Sequence, residues 1–235
     1  MYPSDIPQVP PAPDDFRLAE ALADAAVALY AAQGRAETAR TAVRLARETV
    51  EGAERAGLSL VEEGGLISPE AWTHESVRAF ETISGAVGHR THWDELWAVP
   101  IARVDDTAEC AGCAHALEAT GLRALLLLRI RTHRRRFSVL TLASHTPYAF
   151  DDTAVRTARL LSTHIGVALQ SATVLEQLTE ALETRDVIGQ ATGILMEQLN
   201  IGPTTAFERL VKASQQANVK VRDIALRIVG AAAPD

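Results

Sequence analysis

Basic side chains are concentrated in one stretch of this chain, residues 203–230. This stretch contains five Lys or Arg residues against two acids, a net charge of +3, whereas the whole chain of 235 residues has a formal net charge of −7. The only two lysines, Lys212 and Lys220, both lie in it. A basic face on an acidic protein is suited to phosphate contact at one place rather than to indiscriminate binding of nucleic acid. On charge alone, an ordinary solvated face is the alternative.

Two further groups have side chains suited to metal or redox chemistry. Cys110 and Cys113 form a C-x-x-C pair, but with no second cysteine pair a zinc site would need His115 and one more ligand. A redox pair is another interpretation, and two small buried residues is the one that we favour. His89 and His92 precede two acids and could line a pocket or bind a metal, but their spacing is nonspecific, so we assign no metal site.

The sequence offers no sign of an enzyme or of a membrane protein. It contains no nucleophile elbow, no phosphate-binding glycine loop and no H-E-x-x-H, so we expect neither catalysis nor a cofactor. No apolar run approaches the roughly 18 residues that a membrane span needs. The start of the chain has neither the basic nor the apolar region of a signal peptide. These features predict a cytoplasmic protein.

Three amphipathic helices are predicted over residues 185–230, and the second and third contain the basic stretch. The first runs to about Leu199, and Gly202-Pro203 starts the second, because proline suits a first helical position. Thr205 with Glu208 fits a capping box there, and Asn218 is the predicted N-cap of the third. Apolar residues recur at helical spacing in all three, and they are Val187, Ile188, Ala191, Ile194, Leu195, Leu199, Phe207, Leu210, Val211, Val221, Ile224, Ala225 and Ile228. Such a small bundle has little room for a substrate cleft, so we expect its outer face to be the binding surface.

The region before residue 170 alternates between helical and strand patterns. After a proline-rich start, the predicted order is a helix from Asp14-Asp15 to near Gly34, a helix at 37–51, strands on either side of Gly64-Gly65, a helix at 75–87, a strand at 97–104, a helix at 107–120, a buried strand at 122–131, a turn at 131–136, a strand at 137–145, and a helix capped by Phe150-Asp151-Asp152. This order predicts an α+β domain, with a mostly antiparallel sheet and helices on one of its faces.

A long helix is predicted to connect the two regions. No proline interrupts the helical pattern between about residue 152 and Pro203. Its apolar stripe has spacings of three and four, which favour a coiled coil, and consists of Leu161, Ile165, Ala168, Ala172, Leu175, Leu178 and Leu182. We therefore expect a homodimer through this helix, with help from the sheet domain. The alternative is packing against the protein's own sheet, which we expect for the first few turns.

Two stretches of sequence resemble known families. RDVIGQATGILM at 185–196, followed by AFERLVKASQQANVKVRDIA at 206–225, closely resembles an ANTAR domain, a three-helix RNA-binding module of transcription antiterminators. The family's frequent Ala-Lys-Gly reads Ala191-Thr192-Gly193 here, which removes one expected phosphate contact. ETVEGAERAGLSLVEEGG at 48–65 and SHTPYAFDDTAVRTARLLSTHIGVAL at 144–169 resemble a GAF domain, a sensory fold, over about 36–170.

The resemblance implies a two-domain regulator that binds stem-loop RNA and promotes transcription antitermination under the control of its sensor domain, whose small-molecule ligand the sequence does not name. We expect a flexible tail at 1–15, a GAF-like domain at 16–170, a coiled-coil connector at 171–184 and an ANTAR-like domain at 185–235. The residues expected near RNA are Arg185, Gln190, Gly193, Lys212, Ser214, Gln215, Lys220 and Arg222.

Two other functions remain open on the sequence. Three helices can also form a helix-turn-helix, which would make the chain a DNA-binding regulator. Alternatively, the chain is a small-molecule sensor whose C-terminal bundle only dimerises.

A mid-helix glycine such as Gly193 costs roughly 1 kcal/mol relative to alanine, and either close approach of a ligand backbone or close helix packing would explain it.

Overall fold

The computed structural model of this chain describes residues 14–62, 66–84, 91–110, 113, 118–133 and 136–232. Residues 1–13 of the predicted tail at 1–15, the turn at Gly64-Gly65, His89 and His115 lie outside these residues. The chain divides into two compact units, Met1–Thr173 and Val174–Asp235. Each unit has a hydrophobic core of its own.

The first unit consists of helices and one antiparallel sheet. Its elements are α1 (Asp14–Ala31), α2 (Gly34–Thr49), β1 (Arg55–Glu62), β2 (Ile67–Trp72), α3 (Glu75–Ser84), α4 (Thr91–Ala98), β3 (Ile101–Val104), β4 (Ala124–His133), β5 (Arg136–Ser144) and the first part of α5 (Asp152–Leu199). The five strands lie in the order β2-β1-β5-β4-β3, and every neighbouring pair is antiparallel. The predicted α+β class is confirmed.

Helices cover both faces of this sheet, so the expectation of helices on one face was wrong. Leu126 and Leu128 of β4 pack in a core with α1, α2 and α5. Leu125 and Leu127, whose side chains point to the opposite face because strand side chains alternate, pack with α3 and α4. The run of leucines predicted as a buried strand is therefore buried from both sides, which contributes roughly 2 kcal/mol for each leucine.

Some predicted element boundaries are corrected by the structure. The strand predicted at 97–104 begins only at Ile101, because α4 extends to Ala98, where the N–H of Val99 still bonds the Glu95 carbonyl at 3.0 Å. Helix α4 occupies a polar stretch to which the sequence analysis assigned neither a helix nor a strand. Within the predicted helix at 107–120, residues 107–109 form a turn. Strand β4 continues to His133, further than the predicted turn at 131–136 allows.

The long helix is confirmed as one element, α5, of 48 residues. Its first turn is capped as predicted, because the Asp151 carboxylate accepts a hydrogen bond from the N–H of Ala154 at 2.7 Å. The helices α6 (Pro203–Ala217) and α7 (Val221–Ala232) complete the second unit. Ala191, Leu210 and Ala225, one from each helix, form the buried centre of its hydrophobic cluster. No helix in the described part of the chain has the length and apolarity that crossing a bilayer requires.

Two capping predictions in the second unit were wrong. Asn218 does not begin α7 but ends α6, with left-handed backbone angles of φ 52° and ψ 43°, a conformation that asparagine tolerates better than most residues. Gly202 is the N-cap of α6 and Pro203 follows it, so Thr205 is one turn too far along for a capping box. Phe207 is 46% exposed, and Ala206 takes its expected place in the core.

One half-buried arginine joins four elements of the first unit. The Arg35 guanidinium binds both carboxylate oxygens of Glu70 on β2, at 3.0 and 2.8 Å. It also donates to the hydroxyl of Ser138 on β5 at 3.2 Å and to that of Thr173 on α5 at 3.1 Å. Such fork-like, charge-assisted bonds are stronger than neutral hydrogen bonds.

Replacing Arg35 by alanine is expected to lower the free energy of unfolding by about 2 kcal/mol, because the half-buried Glu70 carboxylate loses its charged partner. Urea denaturation measures this change. Arg44→Ala is the matched control, since Arg44 lies on the same helix and also pairs with a glutamate, Glu48, but at the surface. A control loss of more than about 0.5 kcal/mol, or equal losses for both variants, would contradict the role assigned to Arg35.

Candidate nucleic-acid interface

The turn between α6 and α7 is closed by side-chain and backbone hydrogen bonds. The Ser214 hydroxyl donates to the Val219 carbonyl at 2.5 Å, and the Val219 N–H donates to the Ser214 carbonyl at 3.1 Å. The Lys220 carbonyl accepts from Ile224 at 3.3 Å, so Lys220 directly precedes α7. Ser214 thus fixes the turn from which the exposed Lys220 side chain extends.

Lys212 and Gln215 lie on the outer side of α6. Both are exposed, and Lys212 follows the buried Leu210 by two residues, which places it about 200° around the helix from the core. The structure therefore presents both side chains to solvent, as the predicted interface requires.

Gln190 and Gly193 share the outer side of α5. They border a shallow open depression together with Ile194, Glu197 and Gln198. Among the described residues, a Cβ built on Gly193 would meet no atom within 4 Å. Packing among the described residues therefore does not require the glycine, and the approach of a ligand backbone stays a prediction. Thr192 turns inward to its own helix, where its hydroxyl donates to the Ile188 carbonyl at 2.7 Å.

Arg222 is held by two glutamates of α5. Its guanidinium lies 3.0 Å from the Glu180 carboxylate and 3.8 Å from that of Glu183. Lys220 and Arg222 line one groove with α5 residues between Gln177 and Ile188. Of the predicted RNA residues, the structure thus brings these two together, but the Arg222 charge is already partly neutralised. Arg185 is exposed on α5 and borders neither this groove nor the depression at Gly193.

Charge is separated between the helices of this unit. Residues 174–199 of α5 carry five acids and one arginine, a net charge of −4, against +3 for residues 203–230. Helices α6 and α7 therefore hold the positive surface, and α5 supplies carboxylates such as Glu180. Sequence reasoning missed the pairing of Arg222 with Glu180 and Glu183, since residues about 40 positions apart along the chain give no local sign of contact.

The first unit contains a buried carboxyl group that the sequence did not predict. Glu81 of α3 is fully buried against β1, where the Ser59 hydroxyl donates to it at 2.7 Å. Burial raises its pKa to about 7, against a smaller opposing effect of the Ser59 hydrogen bond. Gly57 permits this close approach, because a Cβ there would lie 2.5 Å from Val77 Cγ1 and 2.7 Å from a carboxylate oxygen of Glu81.

Cys110 and Cys113 are joined by a disulfide. Cys113 is buried in the core below α3 and α4, and Cys110 is partly buried beside it. The interpretation as two separate buried residues was therefore wrong, because the two sulfurs are bonded to each other. Among the described residues, no cluster of three or more His, Cys, Asp or Glu side chains is arranged to hold a metal ion; the His92 side chain lies outside that description.

Comparison with known proteins identifies both regions. A family model of the GAF domain matches residues 32–170, and one of the ANTAR domain matches residues 176–229. A search of curated proteins returns no match.

Three solved structures resemble the chain. The GAF domain of a protein described as a sensor histidine kinase from Pseudomonas syringae pv. tomato is 18% identical, with a TM-score of 0.50 over 71% of this chain and 94% of that one. Bacteriophytochrome RpBphP3 from the photosynthetic bacterium R. palustris is 11% identical, with a TM-score of 0.62 over 87% of this chain and 47% of its own length. The cyanobacteriochrome TePixJ GAF domain is 15% identical, with a TM-score of 0.47 over 62% and 95%. At these identities the first two likenesses show the fold alone.

The chain belongs to the GAF domain family, a class of sensor domains, since that family's model covers more than half of its length. Its GAF domain is followed by an ANTAR domain, the RNA-binding domain of antiterminators. This chain therefore has the architecture of a sensor-regulated antitermination regulator.

Proposed function

We propose that the chain binds stem-loop RNA in nascent transcripts and thereby promotes transcription antitermination under the control of its GAF domain. The observation that carries this proposal is the exposed positive surface of α6 and α7, with Lys212, Gln215 and Lys220 in an ANTAR domain whose other helix is acidic. Its setting would be the cytoplasm, where nascent transcripts are. The domain limits that we assign are 16–170 for the sensor, 171–184 for the connector and 185–235 for the RNA-binding part.

Each side chain has a distinct chemical role in this proposal. The lysine ammonium groups of Lys212 and Lys220 contact backbone phosphates, which position the RNA without reading its sequence. The Gln190 and Gln215 amides offer donors and acceptors to unstacked loop bases, the part of an RNA hairpin that proteins read most readily. Gly193 leaves room for close approach of the RNA backbone, Arg185 supplies a further exposed positive charge on α5, and Ser214 holds the turn.

Arg222 reaches phosphate only by exchanging its partners. Its guanidinium must leave Glu180 and Glu183, which are exposed carboxylates and therefore weakly held. A phosphate offers the same planar, two-oxygen geometry to an arginine. The contribution of Arg222 to RNA binding therefore depends on whether the carboxylates of α5 release its guanidinium.

A homodimer would place two such modules on one transcript. Four large apolar residues of α5, Val174, Leu175, Leu178 and Leu182, are each at least half exposed. Leu175, Leu178 and Leu182 follow one another at spacings of three and four residues, as a coiled-coil seam does. A second copy of α5 would cover this stripe.

Leu178→Glu is expected to weaken dimerisation by at least about tenfold, because a charge would enter an apolar seam. Analytical ultracentrifugation over a concentration series measures the change. Leu178 is 56% exposed in a single chain, so the substitution leaves the fold intact. Thr179→Glu, one position off the stripe, carries the same added charge as a control. Equal sedimentation of wild type and Leu178→Glu at every concentration would refute the seam.

The experiment that tests the function is binding of the purified full chain to a paired stem-loop RNA at two salt concentrations, with duplex DNA of the same sequence as competitor. Loop-dependent binding that duplex DNA does not displace is the expected result. Preferential binding of the duplex would favour the helix-turn-helix alternative. Absence of binding to either, also by the isolated 150–235 segment, would leave only a dimerising sensor.

A further inference from the structure

The Cys110–Cys113 disulfide closes a turn that is fixed to the sheet on one side. Asp106 forms a two-pronged ion pair with Arg123, and its Oδ1 also accepts from the N–H of Ala108 at 2.9 Å. The buried Thr107 hydroxyl donates to the Leu122 carbonyl at 2.7 Å. The turn that carries Cys110 is therefore anchored at its start to the residues that lead into β4.

The same turn is bonded on its other side to the segment between β5 and α5. The Tyr148 hydroxyl donates to the Glu109 carboxylate, with both oxygens at 3.1 Å, and the Tyr148 N–H donates to the Asp105 carbonyl at 2.7 Å. The Glu109 carboxylate also raises the pKa of Tyr148, which keeps the phenol a donor. Glu109 is the direct neighbour of Cys110 in sequence.

Tyr148 has an unfavourable backbone conformation that these bonds must maintain. Its φ is +59°, in the left-handed region that a bulky residue seldom adopts. Such a residue persists only where its surroundings hold it, and it tends to occur at switch segments. Tyr148 is otherwise exposed at 61%, so apolar burial does not hold it there.

The segment that Tyr148 shapes leads directly into α5. Asp151, three residues later, caps the helix through Ala154. The Arg103 guanidinium forms ion pairs with both the cysteine turn and α5. It lies 3.0 Å from Asp105 in the cysteine turn and 3.3 Å from Asp152 in the first turn of α5. The disulfide and the start of α5 are thus joined by a short, continuous set of contacts.

We propose that Cys110 and Cys113 are a reversible redox site of the sensor domain, and that its oxidation state sets the conformation of the segment that begins α5. The partly exposed Cys110 is the residue that a reagent reaches first, and the buried Cys113 is the resolving partner. A peroxide is the oxidant class: the Cys110 thiolate attacks one peroxide oxygen to form a sulfenic acid and release water or alcohol, and the Cys113 thiol then displaces water from the sulfenic sulfur. In total, two thiols and one peroxide give one disulfide and two hydroxyl products.

The two oxidation states differ in how firmly Glu109 is held. In the disulfide, Cys110 is bonded to a core residue, so Glu109 stays within reach of the Tyr148 hydroxyl. A dithiol reductant breaks this bond by thiol–disulfide exchange, and Cys110 then loses its covalent link to the buried Cys113. Tyr148 loses its fixed partner and relaxes from the left-handed conformation, which loosens the segment before α5. The inference does not depend on RNA binding.

The test is hydrogen–deuterium exchange of the full chain after treatment with hydrogen peroxide or with dithiothreitol, with the thiol count followed by alkylation and mass spectrometry. Reduction is expected to raise exchange of amides in 145–156 by about tenfold, the effect of one lost charged hydrogen bond. Amides of β1 serve as the internal control and should not change. The proposal is overturned if peroxide does not form the disulfide, or if it forms and exchange at 145–156 stays the same.

Two variants separate the redox site from the contact that transmits it. Cys110→Ser should exchange like the reduced chain under both treatments. Tyr148→Phe keeps the disulfide but lacks the hydroxyl, so 145–156 should exchange rapidly in both states while the thiol count still responds to peroxide. Slow exchange in the oxidised Tyr148→Phe chain would show that the contact between Tyr148 and Glu109 does not transmit the oxidation state to residues 145–156.

Discussion

Alanine at both Lys212 and Lys220 is expected to lower the affinity of the full chain for stem-loop RNA roughly 30-fold, taking about 1 kcal/mol for each exposed charged contact with phosphate. Both side chains are exposed and neither supports the core, so the variant should keep the stability of the wild type. Fluorescence anisotropy with labelled RNA measures the affinity. Arg222 is left unchanged because its removal would also break the ion pairs with Glu180 and Glu183 and confuse binding with folding.

The salt dependence of this variant distinguishes phosphate contact from a general loss of positive charge. Each phosphate contact contributes about 0.7–0.9 to the slope of log affinity against log salt, so the double variant should lose about 1.5 of that slope. The matched control is Arg156→Ala with Arg159→Ala, which removes the same charge from exposed positions of the sensor unit. If the control loses as much affinity and slope as the lysine variant, the interface on α6 and α7 is refuted.

Replacing Glu81 by glutamine is expected to raise the free energy of unfolding at pH 8 by up to about 3 kcal/mol. The interval between an ordinary carboxyl pKa of 4.5 and the raised pKa of about 7 corresponds to that energy. Below pH 4.5, Glu81 is protonated in both the folded and the unfolded chain and costs nothing. Between pH 4.5 and 7 the unfolded chain releases this carboxyl proton while the folded chain keeps it, so stability falls as pH rises. Above pH 7 the folded carboxyl group ionises as well, and the loss of stability levels off.

Urea denaturation at pH 5, 6, 7 and 8 measures this effect. The wild type should lose stability across the series, and Glu81→Gln should lose much less, because an amide does not titrate while still accepting from Ser59. Glu20→Gln on the exposed face of α1 is the control and should follow the wild type. Parallel curves for the wild type and Glu81→Gln would mean that the buried carboxyl group does not titrate in this range.

Local patterns in the sequence predicted most of the elements and the class of the fold. The alternation in FSVLTLASH and the leucines of the preceding strand predicted the hairpin β4–β5, because period-two patterns depend on neighbouring residues only. The unbroken stripe before Pro203 predicted α5 for the same reason. Trp97 was misassigned to a strand, since a short apolar run ending at a proline has no period long enough to distinguish helix from strand.

The sequence by itself determined the composition of the two units, the long helix between them, and a basic stretch around Lys212 and Lys220 suited to phosphate. Charge and periodicity are properties of neighbouring residues, so the sequence carries them directly. Only the tertiary structure decided that Glu180 holds Arg222, that Glu81 is buried beside Ser59, and that Tyr148 contacts the turn of the cysteine pair. These are contacts between residues 22 to 42 positions apart, and chain-distant contacts are set by how elements pack rather than by any local pattern.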